Sequence, residues 1–541
     1  MPNKRKPDGI LMVSAPGVDN MWTDVAVPFE AKSDAHTAND PVLRGQLLAN
    51  FRDMAYDQPR RYSFGFGISK DGGVNVYLCT MDEIRFSSMG SLPCVGAPDI
   101  ETRRLIQFLL LLYDQLPKDH YGFLVPNERG IIEPLCANSI SGFDQSGQES
   151  ILKTAQIVVK GCTAFNGRRH DNFGPRSWLY YAAIRSDEKT IHERAILKLN
   201  WCLARHCEAT VHKTVKSIDV PYTPELLDSA TIDLESIAGY TCEMLLIENG
   251  GKEVNDYCKD ISPHNVQLIV DVFAGYSHAL LVAAAGKDDI FILHRDISAG
   301  NLLVKDNKPY VIDWGCGLVA KRDESRSIPE GSLVGTAPYM SIRVLSQARF
   351  RSLLDDLESL FLVFSYCLWN KFGDHACKLG DKNFADLWNG ALSANDTIDM
   401  RKNWLRDQRS FWDHMRISKD CPASLETFAT GMYDLLFADG FVHVDHLGGD
   451  GHDPRITRFR AKDWARLFRD AADSAIRAGY PRFCHVDALC EYVRENPNCA
   501  LISMDQPKLL ETPTKRGHKR SLSNDGLEGL TSKIPKFSIN Q

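Results

Sequence analysis

Two short stretches hold most of the residues in this chain whose types and spacing suit chemistry. The first is His294-Arg295-Asp296-Ile297-Ser298-Ala299-Gly300-Asn301, preceded by the apolar Phe291-Ile292-Leu293. The second, Asp313-Trp314-Gly315, follows the strand-like Tyr310-Val311-Ile312. Hard carboxylate and amide oxygens favour Mg²⁺, so Asp313 and Asn301 read as a pair of metal ligands. Asp296 stands where a hydroxyl proton could be accepted and an acceptor oriented, with His294 in the same loop. Those roles together are what phosphoryl transfer requires: neutralised charge on the β- and γ-phosphates and a positioned nucleophile. Gly315 is expected to let the chain turn out of its strand. Arg295 is expected to hold a phosphorylated or acidic group.

The same chemistry needs a cation on the α- and β-phosphates and an acid to hold it. Lys198 interrupts the apolar strand Ala195-Ile196-Leu197-Lys198-Leu199, and Glu208 is the first carboxylate after it. A glycine-rich phosphate loop is harder to find. Gly161, Gly167 and Gly174 are present without a Gly-x-Gly-x-x-Gly pattern, and Phe165-Asn166-Gly167-Arg168-Arg169 is taken as the phosphate cover. Downstream, Gly335-Thr336-Ala337-Pro338-Tyr339-Met340-Ser341 closes a polar segment that carries Ser325, Ser327 and Ser332 near Arg322 and Arg326. Phosphorylation of those serines by another enzyme, with a phosphate pairing to Arg295, is expected to control the segment. Asp355-Asp356-Leu357-Glu358-Ser359-Leu360 then opens an apolar helix that resembles the buried helix of casein-kinase-like domains, and the resemblance implies that Asp356 caps the loop at 294–301.

These residues need strands to present them and helices to support them. Residues 1–40, rich in Pro, Asp and Ala, read as partly disordered, and 41–145 as an α+β domain. That domain has helices at 41–56 and 100–116, and a hairpin of alternating Tyr62–Ile68 and Val74–Leu78 about Asp71-Gly72-Gly73. Residues 150–250 carry strands at Ile157–Lys160, Leu179–Ile184 and Ala195–Leu199, with a helix from Trp201 to Val215. Residues 251–485 are largely helical, beginning with a long apolar segment from Gln267 to Ala285. Strands first and helices after give an α+β fold of two unlike lobes. The stretch 505–541, with Lys515-Arg516 and Lys519-Arg520 among Ser, Pro, Gly and Thr, reads as a disordered basic tail or a nuclear import signal.

Composition narrows the class. The chain has 541 residues and a formal net charge of −7, against the basic excess usual for nucleic-acid binding. Its 15 cysteines include no Cys-x-x-Cys pair, which points to reduced thiols in the cytoplasm or nucleus and away from a zinc framework. The apolar runs Leu105–Leu112 and Leu360–Trp369 fall short of the roughly 18 to 20 residues of a membrane span, so no membrane partner is expected.

The chain resembles the fungal-type protein kinase family known from mushroom-forming fungi. The resemblance runs from Arg61-Tyr62-Ser63-Phe64-Gly65 and Leu105–Leu112 through Lys198-Leu199-Asn200-Trp201, His294–Asn301, Asp313-Trp314-Gly315, Gly335–Ser341 and Asp355–Leu360. It implies a two-lobed protein-kinase fold, ATP and Mg²⁺ as cofactors, a protein substrate, and catalytic roles for Lys198, Asp296, Asn301 and Asp313. There are two departures. Ser298 stands where Ser/Thr kinases place a lysine. The glutamate of the usual Ala-Pro-Glu is missing, with Ile342 and Arg343 in its neighbourhood, so the anchor of the activation segment is not evident. Ser/Thr acceptors are expected over Tyr. Two alternatives stand beside this reading. One is a small-molecule kinase of the aminoglycoside or choline type, which shares the Ile312-Asp313-Trp314 pattern. The other is a pseudokinase scaffold, favoured by the poor glycine-rich loop.

Overall fold

The computed structural model describes residues 9–12, 25–31, 46–47, 50, 63–68, 73–79, 84–91, 131–132, 142–143, 151–166, 176–186, 189–203, 207–233, 240–321, 334–346, 351–376, 378–379, 382–388, 392–437, 454–480, 482–497 and 499. The chain divides into two compact units, 1–503 and 504–541. The second unit, which contains the expected basic tail, lies outside the described residues, as does the helix expected at 100–116.

Five strands form the first sheet in the order β1 (Gly9–Met12), β2 (Val25–Ala31), β3 (Ser63–Ile68), β4 (Gly73–Cys79) and β5 (Ile84–Ser91). The expected hairpin is β3–β4, antiparallel with Phe66 opposite Val76. Phe66 and Val74 share one face of this pair and Tyr77 lies on the other, and all three are buried. β1 and β2 are strands inside residues 1–40, where composition suggested partial disorder. Of the helix expected at 41–56, Gln46, Leu47 and Asn50 are described, and all three are helical.

A seven-stranded sheet follows in the order β6-β8-β9-β10-β12-β11-β7. Its strands are β6 (Ile131–Ile132), β7 (Gly142–Phe143), β8 (Gln156–Asn166), β9 (Arg176–Ser186), β10 (Lys189–Leu203), β11 (Leu226–Asp233) and β12 (Tyr240–Glu248). Two of them therefore come from residues before 145. The period-2 geometry of a strand sorts β10 into two faces. Ala195, Leu197 and Leu199 join Trp178, Met244 and Leu246 in one apolar cluster, and Lys198 faces the other way. The helix expected at Trp201–Val215 is displaced. β10 continues to Leu203, because Trp201, Cys202 and Leu203 pair with Cys242, Thr241 and Tyr240. The helix α2 begins at Glu208 and runs to Ile218, after the four-residue α1 (Ile151–Thr154).

The rest is mainly helical. α3 is Val254–Asp260, α4 Leu268–Ala285, α5 Ile342–Leu345, α6 Leu353–Phe372, α7 Ala394–Trp404, α8 Gln408–Met415, α9 Ala423–Phe437, α10 Ala461–Arg477 and α11 Cys484–Glu495. α4 is long and apolar enough to cross a membrane, with a mean hydropathy of 1.7, yet 78% of that window is buried. It serves as the core helix: Phe273 meets Phe364 of α6 edge-on at 4.9 Å, and Phe364 meets Phe428 of α9 at 5.2 Å. Edge-to-face pairs of this kind add about 0.5–1.5 kcal/mol to the apolar burial. Short strand pairs thread between these helices. β13 (Lys252–Glu253), β15 (Leu302–Lys305) and β16 (Lys308–Val311) form one small sheet, and β14 (Ile290–Leu293) pairs with β17 (Leu318–Lys321). Asn301 and Asp313 thus flank a tight hairpin that fixes their spacing.

Candidate active site

Lys198 is delivered by β10 to two carboxylates. Its Nζ lies 2.7 Å from Glu208 Oε2 and 2.7 Å from Asp313 Oδ1. Burial alone would depress the ammonium, but Asp313 and Glu208 outweigh it and hold its pKa above the ordinary lysine value. Burial would likewise raise Glu208, and Lys198 reverses that, leaving the carboxyl below its usual range. Glu208 is the first residue of α2, whose open amides are met by Glu243 of β12. Glu243 Oε2 accepts from the Glu208 amide at 2.8 Å, and its Oε1 from the Ala209 amide at 3.1 Å. A carboxylate at a helix N-terminus satisfies orphan donors and the dipole together. Glu243 was missed at the sequence level, although an acid within Cys242–Ile247, otherwise apolar, was the available signal.

The loop at 294–301 is held from below by α6. The Asp356 carboxylate accepts from the His294 amide at 2.8 Å and the Arg295 amide at 2.9 Å. Its neighbour Asp355, not Asp356, closes the capping box with Ser352 at the start of α6. The fully buried His294 ring meets the Ile312 carbonyl through Nε2 at 2.9 Å and accepts from the Asp296 amide at Nδ1. It also packs on Trp314 at 4.6 Å, so the ring ties the two motifs together. Asn301 donates from Nδ2 to the Asp296 carbonyl at 2.8 Å, which leaves its Oδ1 for another partner. Asp313 has a left-handed backbone, φ 59°, a conformation that favours Asp among non-glycine residues and often marks functional sites. Gly315 is not in that region. Its missing side chain matters for space: a Cβ there would sit 3.0 Å from Glu208 Oε2.

Asp296 faces Thr336. Its Oδ1 accepts from the Thr336 amide and hydroxyl, each at 2.7 Å. Burial pushes the Asp296 carboxyl up and Asp313 adds to this, while the Thr336 bonds oppose it. Beside this pair, Arg295 and Arg351 both line a small, partly open pocket with Met340 and Val344. Arg351 is spent on the Val334 and Arg295 carbonyls, whereas the buried Nε of Arg295 has no hydrogen-bond partner.

The segment around Thr336 is anchored without an Ala-Pro-Glu glutamate. Arg401, fully buried on α7, donates to the carbonyls of Ala337, Pro338 and Met340. The acid comes instead from α6. Glu358 accepts from the Ile342 amide at 2.8 Å and pairs with the buried Arg455, and Asp355 accepts from the Ser341 hydroxyl at 2.7 Å. Arg401 and Arg455 carry no local motif, so periodicity could not single them out. Gly167, Ser325, Ser327 and Ser332 lie outside the described residues.

The donor set fits a magnesium nucleotide: a buried ammonium held by two carboxylates, and an Asn oxygen near Asp313 across a short hairpin. These features define a kinase-like α+β site. Residues 259–368, which carry both motifs and most of α6, match the family model described as fungal protein kinase, in agreement with the resemblance read from the sequence. No curated protein matches the chain.

Proposed function

We propose that the protein is an ATP- and Mg²⁺-dependent protein kinase that phosphorylates a protein hydroxyl, with Ser/Thr acceptors ahead of Tyr. The observation that carries the reading is the ion triad of Lys198 with Glu208 and Asp313 at 2.7 Å each. A pseudokinase has no need to keep that triad beside an intact Asp296 and Asn301. Bound magnesium nucleotide supplies the phosphoryl group and offsets its developing charge. Asp313 and Asn301 would hold the ion, and Lys198, positioned by Glu208, the phosphate oxygens. Asp296 orients the acceptor hydroxyl and takes its proton. The Thr336 contact and the Arg401 anchor support a protein acceptor, because they shape an extended surface beside Asp296 that a small substrate would not require. The unmatched Nε of Arg295 supports a phosphate on Ser325, Ser327 or Ser332 as its partner, added by an upstream kinase.

The test is label transfer from γ-labelled ATP to a mixed protein pool and, in parallel, to aminoglycosides and choline. Label on protein alone is expected. Label on the small alcohols alone would replace this reading with the small-molecule one.

A further inference from the structure

Three groups with metal-ligand chemistry converge where α11 docks on α4. Asp271 of α4, Cys484 and His485 present ligand atoms that all lie within 4.8 Å of one another. Asp271 and Cys484 are 213 residues apart, so no spacing rule could have paired them.

Part of this cluster is a helix cap. Asp271 Oδ1 accepts from the amides of His485 at 2.8 Å and Val486 at 2.9 Å, which satisfies the first turn of α11. The cap uses one oxygen only. Oδ2 faces the Cys484 thiol at 3.7 Å and His485 Nε2 at 4.0 Å. A tetrahedral zinc ion with ordinary bond lengths places S and O ligands about 3.6 Å apart and N and O ligands about 3.4 Å apart. The first distance already matches, and the second requires the imidazole to move about 0.6 Å toward Asp271 and away from the Asn307 carbonyl.

The surroundings suit a ligating histidine. His485 Nδ1 lies 3.1 Å from the Tyr222 hydroxyl, and Nε2 3.2 Å from the Asn307 carbonyl. A metal-bound imidazole needs its other nitrogen protonated and fixed by an outer partner, and Tyr222 is in place to accept from Nδ1. Tyr222 also packs edge-on against His485 at 5.1 Å and against His278 at 5.8 Å. The buried Nδ1 of His278 has no hydrogen-bond partner. Cys484 is exposed, so an ion has an entry path and water can fill a fourth position.

We propose that Asp271 Oδ2, Cys484 Sγ and His485 Nε2 form a zinc site that clasps α11 to α4. A sulfur, nitrogen and oxygen donor set favours zinc over the hard ions of the candidate active site. Binding releases the Cys484 proton and moves the His485 proton to Nδ1. The Asn307 carbonyl, freed from Nε2, becomes an acceptor for the fourth-position water.

Co²⁺ titrated into the full chain under reducing conditions tests this, because a cobalt–thiolate bond gives a near-ultraviolet charge-transfer band. The expected result is a band saturating at one equivalent, displaced by Zn²⁺ and absent in Cys484→Ala. Asp271→Asn keeps a cap acceptor and should weaken binding at least about tenfold, as His485→Gln should. No band in the wild type, or a band unchanged in Cys484→Ala, overturns the proposal. Since Cys484 is exposed, its alanine variant is expected to fold, and Zn²⁺ should raise the Tm of the wild type but not of that variant.

Discussion

Replacing Arg401 separates a positioning role from a purely structural one. Its guanidinium donates to the carbonyls of Ala337, Pro338 and Met340, the turn that follows Thr336. A hydrogen bond in an apolar medium is worth about 4–6 kcal/mol, so the three together are on the order of 12–18 kcal/mol in gross terms. Against that stands the idealised cost of moving a cation with no carboxylate bonded to it into such a medium, on the order of 20 kcal/mol. Burial is also the first cause that lowers the Arg401 pKa to about 10. The two terms largely cancel. Arg401→Met should therefore change stability by only about 0–3 kcal/mol. The turn, however, loses what holds it near Asp296, and a misplacement of about 1 Å can cost on the order of 10²-fold in rate. Arg401→Lys keeps the charge but cannot reach three carbonyls, and should recover less than half of the logarithmic loss. The assay is kcat/KM for peptide phosphorylation beside urea unfolding of the same samples. A kcat/KM within twofold of wild type in Arg401→Met would refute the anchoring argument. So would a loss that simply tracks global unfolding.

Further outcomes follow from the same geometry. Glu243→Gln should cost about 0.5–2 kcal/mol in stability as a weakened helix cap. It should also lower kcat several-fold at saturating ATP, since α2 carries Glu208; unfolding curves and steady-state kinetics check both. The Thr336 hydroxyl bonds the ionised form of Asp296, so its removal in Thr336→Val raises that pKa further. The acid limb of the pH–rate profile should then move to higher pH, and a limb that stays or moves down contradicts the assignment. Replacing Ser325, Ser327 and Ser332 together with Ala should abolish activation by an upstream kinase, read as activity before and after phosphatase treatment.

What was legible in the sequence was local. The loop at 294–301 and the Asp313 turn announce themselves because chemistry fixes both residue type and spacing within about twenty positions. Lys198 and Glu208 could be named because a lone cation breaks an apolar alternation and the next acid follows closely. The boundary error at 201–207 has the opposite cause: Trp201–Leu203 satisfy helical periodicity over a short window, but their pairing with Tyr240–Cys242 decides the conformation. Glu243 and Arg401 act on backbone groups, and Arg455 on the carboxylates of Glu358 and Asp355, all tens of residues away, so their roles exist only once the chain is folded. The Asp271, Cys484 and His485 cluster belongs with them, and it assembles across a helix interface that no Cys spacing announces.

The most direct test of the central claim is phosphoryl transfer by the purified full chain with Mg²⁺ and γ-labelled ATP, beside Asp296→Asn and Asp313→Ala. Positioned acid–base groups contribute about 10²- to 10⁴-fold. Transfer to protein by the wild type, reduced by at least about 10²-fold in each variant with folding intact, is the predicted result. A well-folded wild type that stays silent even after phosphorylation by an upstream kinase, or variants that retain full activity, would contradict it.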